Sequence, residues 1–106
     1  MYTNPQNTVI ESITLDSTLG DSPVITFKGF RKMICAIPAG SSITSLTYYV
    51  SPTSDGTFLQ LYNSSGAVST TVAAERAYQL TSELEGISYL KIVPNNDGNV
   101  SLHLIS

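Results

Sequence analysis

Tryptophan is absent from this 106-residue chain, cysteine and histidine occur once each, and only 12% of the residues are charged. Each shortage excludes something. With Cys35 alone there is no internal disulfide, so the core must hold without a covalent staple. A single domain of this length buries roughly two-thirds of its unfolded surface, which is enough. One cysteine and one histidine cannot supply the ligand set of a zinc site, and no metal or other cofactor is expected. Five Lys or Arg against eight Asp or Glu leave a net charge of −3. Nothing here neutralises a row of phosphates, so nucleic acid is excluded as a partner. The one basic cluster, Lys28 with Arg31 and Lys32, reads as a solubilising strand edge. No long apolar run exists, which excludes a helical membrane span, and the opening Met1-Tyr2-Thr3-Asn4-Pro5 has no basic leader. Synthesis in a cytoplasm without a signal peptide is the expectation, and Cys35, set in the apolar run Met33-Ile34-Cys35-Ala36-Ile37, reads as a buried, inert thiol.

What the chain does contain is punctuation. Strand-length apolar runs are closed by clusters such as Leu19-Gly20-Asp21-Ser22-Pro23, Pro38-Ala39-Gly40, Asp55-Gly56, Asn63-Ser64-Ser65-Gly66 and Pro94-Asn95-Asn96-Asp97-Gly98-Asn99. Such spacing is the mark of an all-β sandwich or barrel. Strands are expected over 8–15, 24–28, 32–37, 43–50, 57–62, 67–72, 77–80, 87–93 and 100–105. Several alternate well: Val9, Glu11, Ile13 and Leu15 oppose Ile10, Ser12 and Thr14, and Leu46, Tyr48 and Val50 oppose Thr47 and Tyr49. Asp55-Gly56 predicts a hairpin turn with positive φ, and Asn96-Asp97-Gly98-Asn99 predicts a closing hairpin between the last two strands. Ser82, Glu85 and Gly86 predict one short helical turn near 81–86, a corner between strands. The fold class follows: a two-sheet antiparallel β-sandwich of about eight strands, wound like a jelly roll, over 8–106, preceded by an extended arm over 1–7. An immunoglobulin-like sandwich is the runner-up, weakened by the missing core tryptophan and cysteine pair.

Chemistry is harder to find. Catalysis needs a base beside a nucleophile or metal, and His103 falls on the polar side of the final strand. The eight acids are scattered along the chain, nearly all in turns and connectors, with no pair in an apolar setting that would separate their pKa values. Asn95–Asn99 offers oxygens to a calcium ion, yet carries one charge and spells an ordinary turn. No catalytic residue, cofactor-binding residue or metal ligand is therefore assigned, and the chain is read as a non-enzyme. A carbohydrate-binding sandwich would stack sugars on Tyr49, Phe58, Tyr62, Tyr78 or Tyr89, although strand aromatics more often pack across strands.

Three segments carry a resemblance. Asp55-Gly56-Thr57-Phe58-Leu59-Gln60-Leu61-Tyr62-Asn63-Ser64-Ser65-Gly66, then Ala74-Glu75-Arg76-Ala77-Tyr78-Gln79-Leu80, then Leu84-Glu85-Gly86-Ile87-Ser88-Tyr89-Leu90-Lys91-Ile92-Val93, resemble small β-sandwich virion proteins of tailed bacteriophages. The likeness covers residues 55–93 and consists of packing and turn residues, with no catalytic motif. It implies a capsid decoration, or cement, protein on the outer surface of the head, binding the major capsid protein and itself as a dimer or trimer. The arm would then lie across a neighbour through Tyr2, Asn4 and Pro5, and Ile34, Ala36 and Tyr49 would form an apolar contact patch. The alternative is a carbohydrate-binding or host-adhesion module of a phage tail or fibre.

Overall fold

The computed structural model of the chain describes residues 8–80, 84 and 86–105. Its elements in chain order are β1 (Thr8–Leu15), a 3-10 turn (Leu19–Asp21), β2 (Ile25–Thr26), β3 (Lys32–Ile37), β4 (Ser45–Ser51), β5 (Leu59–Gln60) and β6 (Tyr62–Asn63). There follow β7 (Gly66–Ala67), β8 (Ser69–Thr71), β9 (Arg76–Gln79), β10 (Tyr89–Pro94) and β11 (Gly98–Ile105). One sheet has the order β1-β11-β3-β9 and the other β2-β10-β4-β5, with β8 also paired to β4. All of the pairings are antiparallel.

β5 and β8 are two halves of one edge strand. Both run antiparallel to β4, β5 along Tyr49 and Val50 and β8 along Ser45 to Thr47. Between them the chain leaves the edge as the β6–β7 hairpin and returns, closed by Leu61 N–H to the Tyr48 carbonyl (2.8 Å) and Val68 N–H to the Leu61 carbonyl (2.9 Å). Gly66, at φ 124°, makes the tight tip possible. Counting that interrupted edge as one strand gives two sheets of four among the described residues. Every connection except β4–β5 and the hairpin then passes from one sheet to the other, and the first strand ends beside the last. This is the winding of a jelly roll.

The alternation in the sequence dictates the core. Leu15, Met33, Cys35, Ile37, Val100, Leu102 and Leu104 point inward from one sheet, and Ile25, Leu46, Tyr48, Leu90 and Ile92 from the other, all buried. Val68 and Val72, flanking β8, complete the inner layer. Phe27 is buried too, and Gly29 (φ 89°) folds the chain back so that Phe30 stacks on it with ring centroids 6.4 Å apart.

Some expectations need correcting. β10 and β11 do not form a hairpin: they belong to facing sheets, so Asn95–Asp97 is a crossover between layers. Each strand has both its edges taken elsewhere, β10 by β2 and β4 and β11 by β1 and β3, so Leu90 and Ile92 enter the core from one layer and Leu102 and Leu104 from the other. Gly56 does not have positive φ. It is glycine because a Cβ there would lie 2.4 Å from Thr53 Oγ1 and 2.8 Å from Ser51 Oγ. The strand expected over 24–28 is only two residues long, and 57–62 and 67–72 break where the hairpin leaves the edge. Of the expected corner at 81–86, residues 81–83 and 85 lie outside the described residues, while Leu84 is buried and its carbonyl accepts Ile87 N–H at 3.2 Å.

Candidate functional site

Three surfaces stand out once the core is subtracted. The outer face of the first sheet is crossed by two rows of directly opposed residues. One row is Ile10, His103, Ile34 and Gln79; the next is Ser12, Ser101, Ala36 and Ala77. Ile34 and Ala36, assigned from sequence to a contact patch, are both half-buried here. Small side chains in the second row leave a shallow trough of about 550 Å³ edged by Ser12, Thr14, Asn99, Ser101, Ala36 and Pro38. At the edge of this face Ile10 is 64% exposed.

The outer face of the second sheet is different in character. Tyr49 stands beside Lys91 with Gln60 beyond it on the edge strand, and Tyr89 lies two residues before Lys91 on the same side. Lys91 Nζ donates to the Leu19 carbonyl at 3.1 Å and sits 5.1 Å from the Phe58 ring centroid, a cation–π distance. The 3-10 turn and the β4–β5 loop thus both reach over this sheet and engage its one central charge. Of the five aromatics considered for sugar stacking, Tyr49, Phe58 and Tyr89 gather on this face. Tyr78 instead packs against the core, and Tyr62 stands on the β6–β7 hairpin, 64% exposed. Tyr49 therefore lies on the opposite side of the sandwich from Ile34 and Ala36, and the three do not form one patch. Tyr2, Asn4 and Pro5 lie outside the described residues.

The Asn95–Asn99 loop, whose oxygens could suit calcium, has a structural use for them. Asn95 Oδ1 accepts the N–H groups of Thr44 (2.9 Å) and Ser45 (3.2 Å), and its Nδ2 donates to Thr44 Oγ1 (2.8 Å). Asn96 Nδ2 donates to the Ser42 carbonyl at 3.0 Å, Asp97 Oδ1 accepts Ser17 N–H at 2.7 Å, and Asn99 Oδ1 accepts from Thr14 Oγ1 at 2.6 Å. The backbone N–H of Ser17 holds the exposed Asp97 carboxyl below its ordinary value. One polar crossover thereby clasps the loops before β4 and after β1. The residues of the clasp are visible in the sequence but the clasp is not, because its partners lie about fifty and eighty positions away.

Two buried groups are tuned in the opposite sense. Burial pushes the Cys35 thiol up to about 11. Burial likewise pushes the Tyr48 phenol up to about 12, against the opposing pull of its hydrogen bond to Thr70 Oγ1, 2.6 Å away. Neither faces a cleft. Among the described residues no group of three or more His, Cys, Asp or Glu gathers to hold a metal ion, and no helix is long and apolar enough to cross a membrane.

No family model and no curated protein matches the chain. Among solved structures it is similar to the crystal structure of the SPBc2 prophage-derived protein YomS, with a TM-score of 0.61 and 14% sequence identity. That likeness covers 100% of this chain and 99% of YomS. At such identity the two share a fold, and they share it from end to end.

Proposed function

We propose that the chain is a non-enzymatic structural protein of a phage virion, a capsid decoration protein that binds the outer surface of the major capsid shell and stabilises the head. The observation that carries this reading is the end-to-end coincidence of its jelly roll with a prophage-derived protein of the same size. The distribution of chemistry supports it. The polar side chains of Asn95–Asn99 are spent on clasping loops, and the buried Cys35 and Tyr48 are held neutral inside the core. What remains for function is surface: an open outer face on one sheet and a projecting hairpin on the other. A stapled roll with adhesive faces suits a protein that resists pressure across a shell, working in several copies.

The test is sedimentation of purified chain with expanded heads stripped of decoration. Co-sedimentation that saturates, with heads surviving heat that bursts bare ones, is expected. A chain left in the supernatant at every concentration would remove the capsid role.

One observation favours a second reading, host adhesion by a tail or fibre module. Tyr49, Tyr89 and Phe58 surround Lys91 on one face, and aromatic rings beside a polar group are what a sugar ring stacks upon. A glycan array decides between them. Selective glycan binding abolished by Tyr49→Ala, without head binding, would establish adhesion; a blank array with head binding would establish decoration.

A further inference from the structure

We infer that the free edge of β1 is a self-association site, pairing antiparallel with β1 of a second copy about Ile10 to join two four-stranded sheets into one. The inference rests on the proposed role only in taking the chain to work as several copies.

An unpaired sheet edge offers a row of N–H and C=O groups, and the partner that satisfies them is another strand. Proteins blunt such edges, and three of the four sheet edges among the described residues are blunted. β2 is two residues long. β9 is four residues long, is entered through Glu75 in the left-handed region (φ 61°) and carries exposed Arg76. The β5–β8 edge is broken by its hairpin. β1 carries one charge, Glu11, and otherwise has none of these devices. It runs for eight residues, Thr-Val-Ile-Glu-Ser-Ile-Thr-Leu, with no proline and no bulge in its pairing to β11, its one strand partner among the described residues. Val9 and Ile10 are exposed on it, at 39% and 64%.

The strand is also self-complementary. A two-fold axis normal to the sheet keeps the inner faces of both copies on one side, so each residue must oppose one of the same face. Centred on Glu11, that pairing would set two carboxylates against each other, which is unfavourable. Centred on Ile10, it opposes Ile10 to its own copy, Val9 to Glu11 and Thr8 to Ser12. Ile10 is then covered, and the row Ile34, His103, Ile10 continues without interruption into Ile10, His103 and Ile34 of the second copy. A bound peptide of another kind would have no reason to match this row.

The test uses the full chain. Light scattering over a dilution series should give twice the chain mass, falling two-fold to monomer in Ile10→Lys, a substitution at an exposed position that should leave the circular dichroism and Tm of the fold intact. Ile10→Cys should cross-link to a covalent dimer under a mild chemical oxidant, because opposed residues of an antiparallel pair stand within disulfide reach. Thr57→Cys, exposed elsewhere, should not, and buried Cys35 should stay silent. A wild-type chain monomeric throughout, a dimer indifferent to Ile10→Lys, or a β1 edge protected from hydrogen exchange only by an unrelated extended peptide would overturn the inference. Head sedimentation reads the proposed role separately: an Ile10→Lys monomer that still binds heads would leave decoration standing with or without the edge contact.

Discussion

The hydrogen bond between Tyr48 and Thr70 fastens the interrupted edge to the centre of its sheet, and removing either end should cost different amounts. Tyr48 is fully buried and its hydroxyl lies 2.6 Å from Thr70 Oγ1. In Thr70→Val the phenol loses its partner inside the core and cannot reach water. An unsatisfied buried hydroxyl costs about 1–3 kcal/mol, and full burial puts this case at about 2–3. In Tyr48→Phe the orphan is the Thr70 hydroxyl, which is half-buried and can turn toward solvent, so the loss should be about 1 kcal/mol. The double variant leaves neither hydroxyl stranded and should be more stable than Thr70→Val alone. The coupling energy of the cycle is then about 1–2 kcal/mol in favour of the pair. Urea unfolding followed by circular dichroism measures all four proteins, and each kcal/mol should also move Tm by about 4–8 °C in a domain near this size. Strictly additive losses, or a double variant less stable than either single one, would refute the reasoning that Tyr48 ties Thr70 of the neighbouring strand to its sheet.

Further outcomes are expected. Cys35→Ser places a hydroxyl in an apolar interior and should cost about 1–3 kcal/mol by urea unfolding, while the native thiol should resist a thiol-specific reagent until the chain unfolds. The thiol's raised value makes its contribution to stability complete below its ordinary 9.0 and lost as pH rises toward about 11, so Cys35→Ala should lose less stability than wild type over that window. Asp97 behaves in the opposite sense: its contribution is present above its ordinary 3.8 and lost as pH falls through the lowered value, so the stability gap between wild type and Asp97→Asn should close in acid. Asn95→Ala removes the three hydrogen bonds to Thr44 and Ser45 and should cost about 1–2 kcal/mol, with faster amide exchange at those two residues as the local sign.

Legibility of the fold in the sequence varied with how local its cause was. β1 and β3 occur where their alternation places them, because a one-residue slip would turn Leu15 or Cys35 out of the core. The inward set Leu46, Tyr48 and Val50 follows from the same period. Where the cause was a distant partner, the letters misled. Asn95-Asn96-Asp97-Gly98 reads equally well as a hairpin and as a crossover, and only the facing of β10 and β11 across the core decides. Asp55-Gly56 looks like a positive-φ turn, yet the glycine answers to crowding by Ser51 and Thr53. The run from Leu59 to Val72 shows its turn at Asn63-Ser64-Ser65-Gly66, but not that the hairpin interrupts a single edge strand. Of the expected contact residues, Ile34 and Ala36 were legible as an outward apolar pair on a strand buried on its other face. Tyr49 was legible as outward, but which sheet it faced out from was not. Ile10 carries a signal of its own: an isoleucine on the side of Ser12 and Thr14 has no core to enter.

Cryo-electron microscopy of the parent particle tests the account most directly. Jelly-roll density of this size is expected on the outside of the head, seated between capsid subunits, with two copies meeting along β1. Heads whose outer surface is bare, with the chain absent from purified particles, would contradict it.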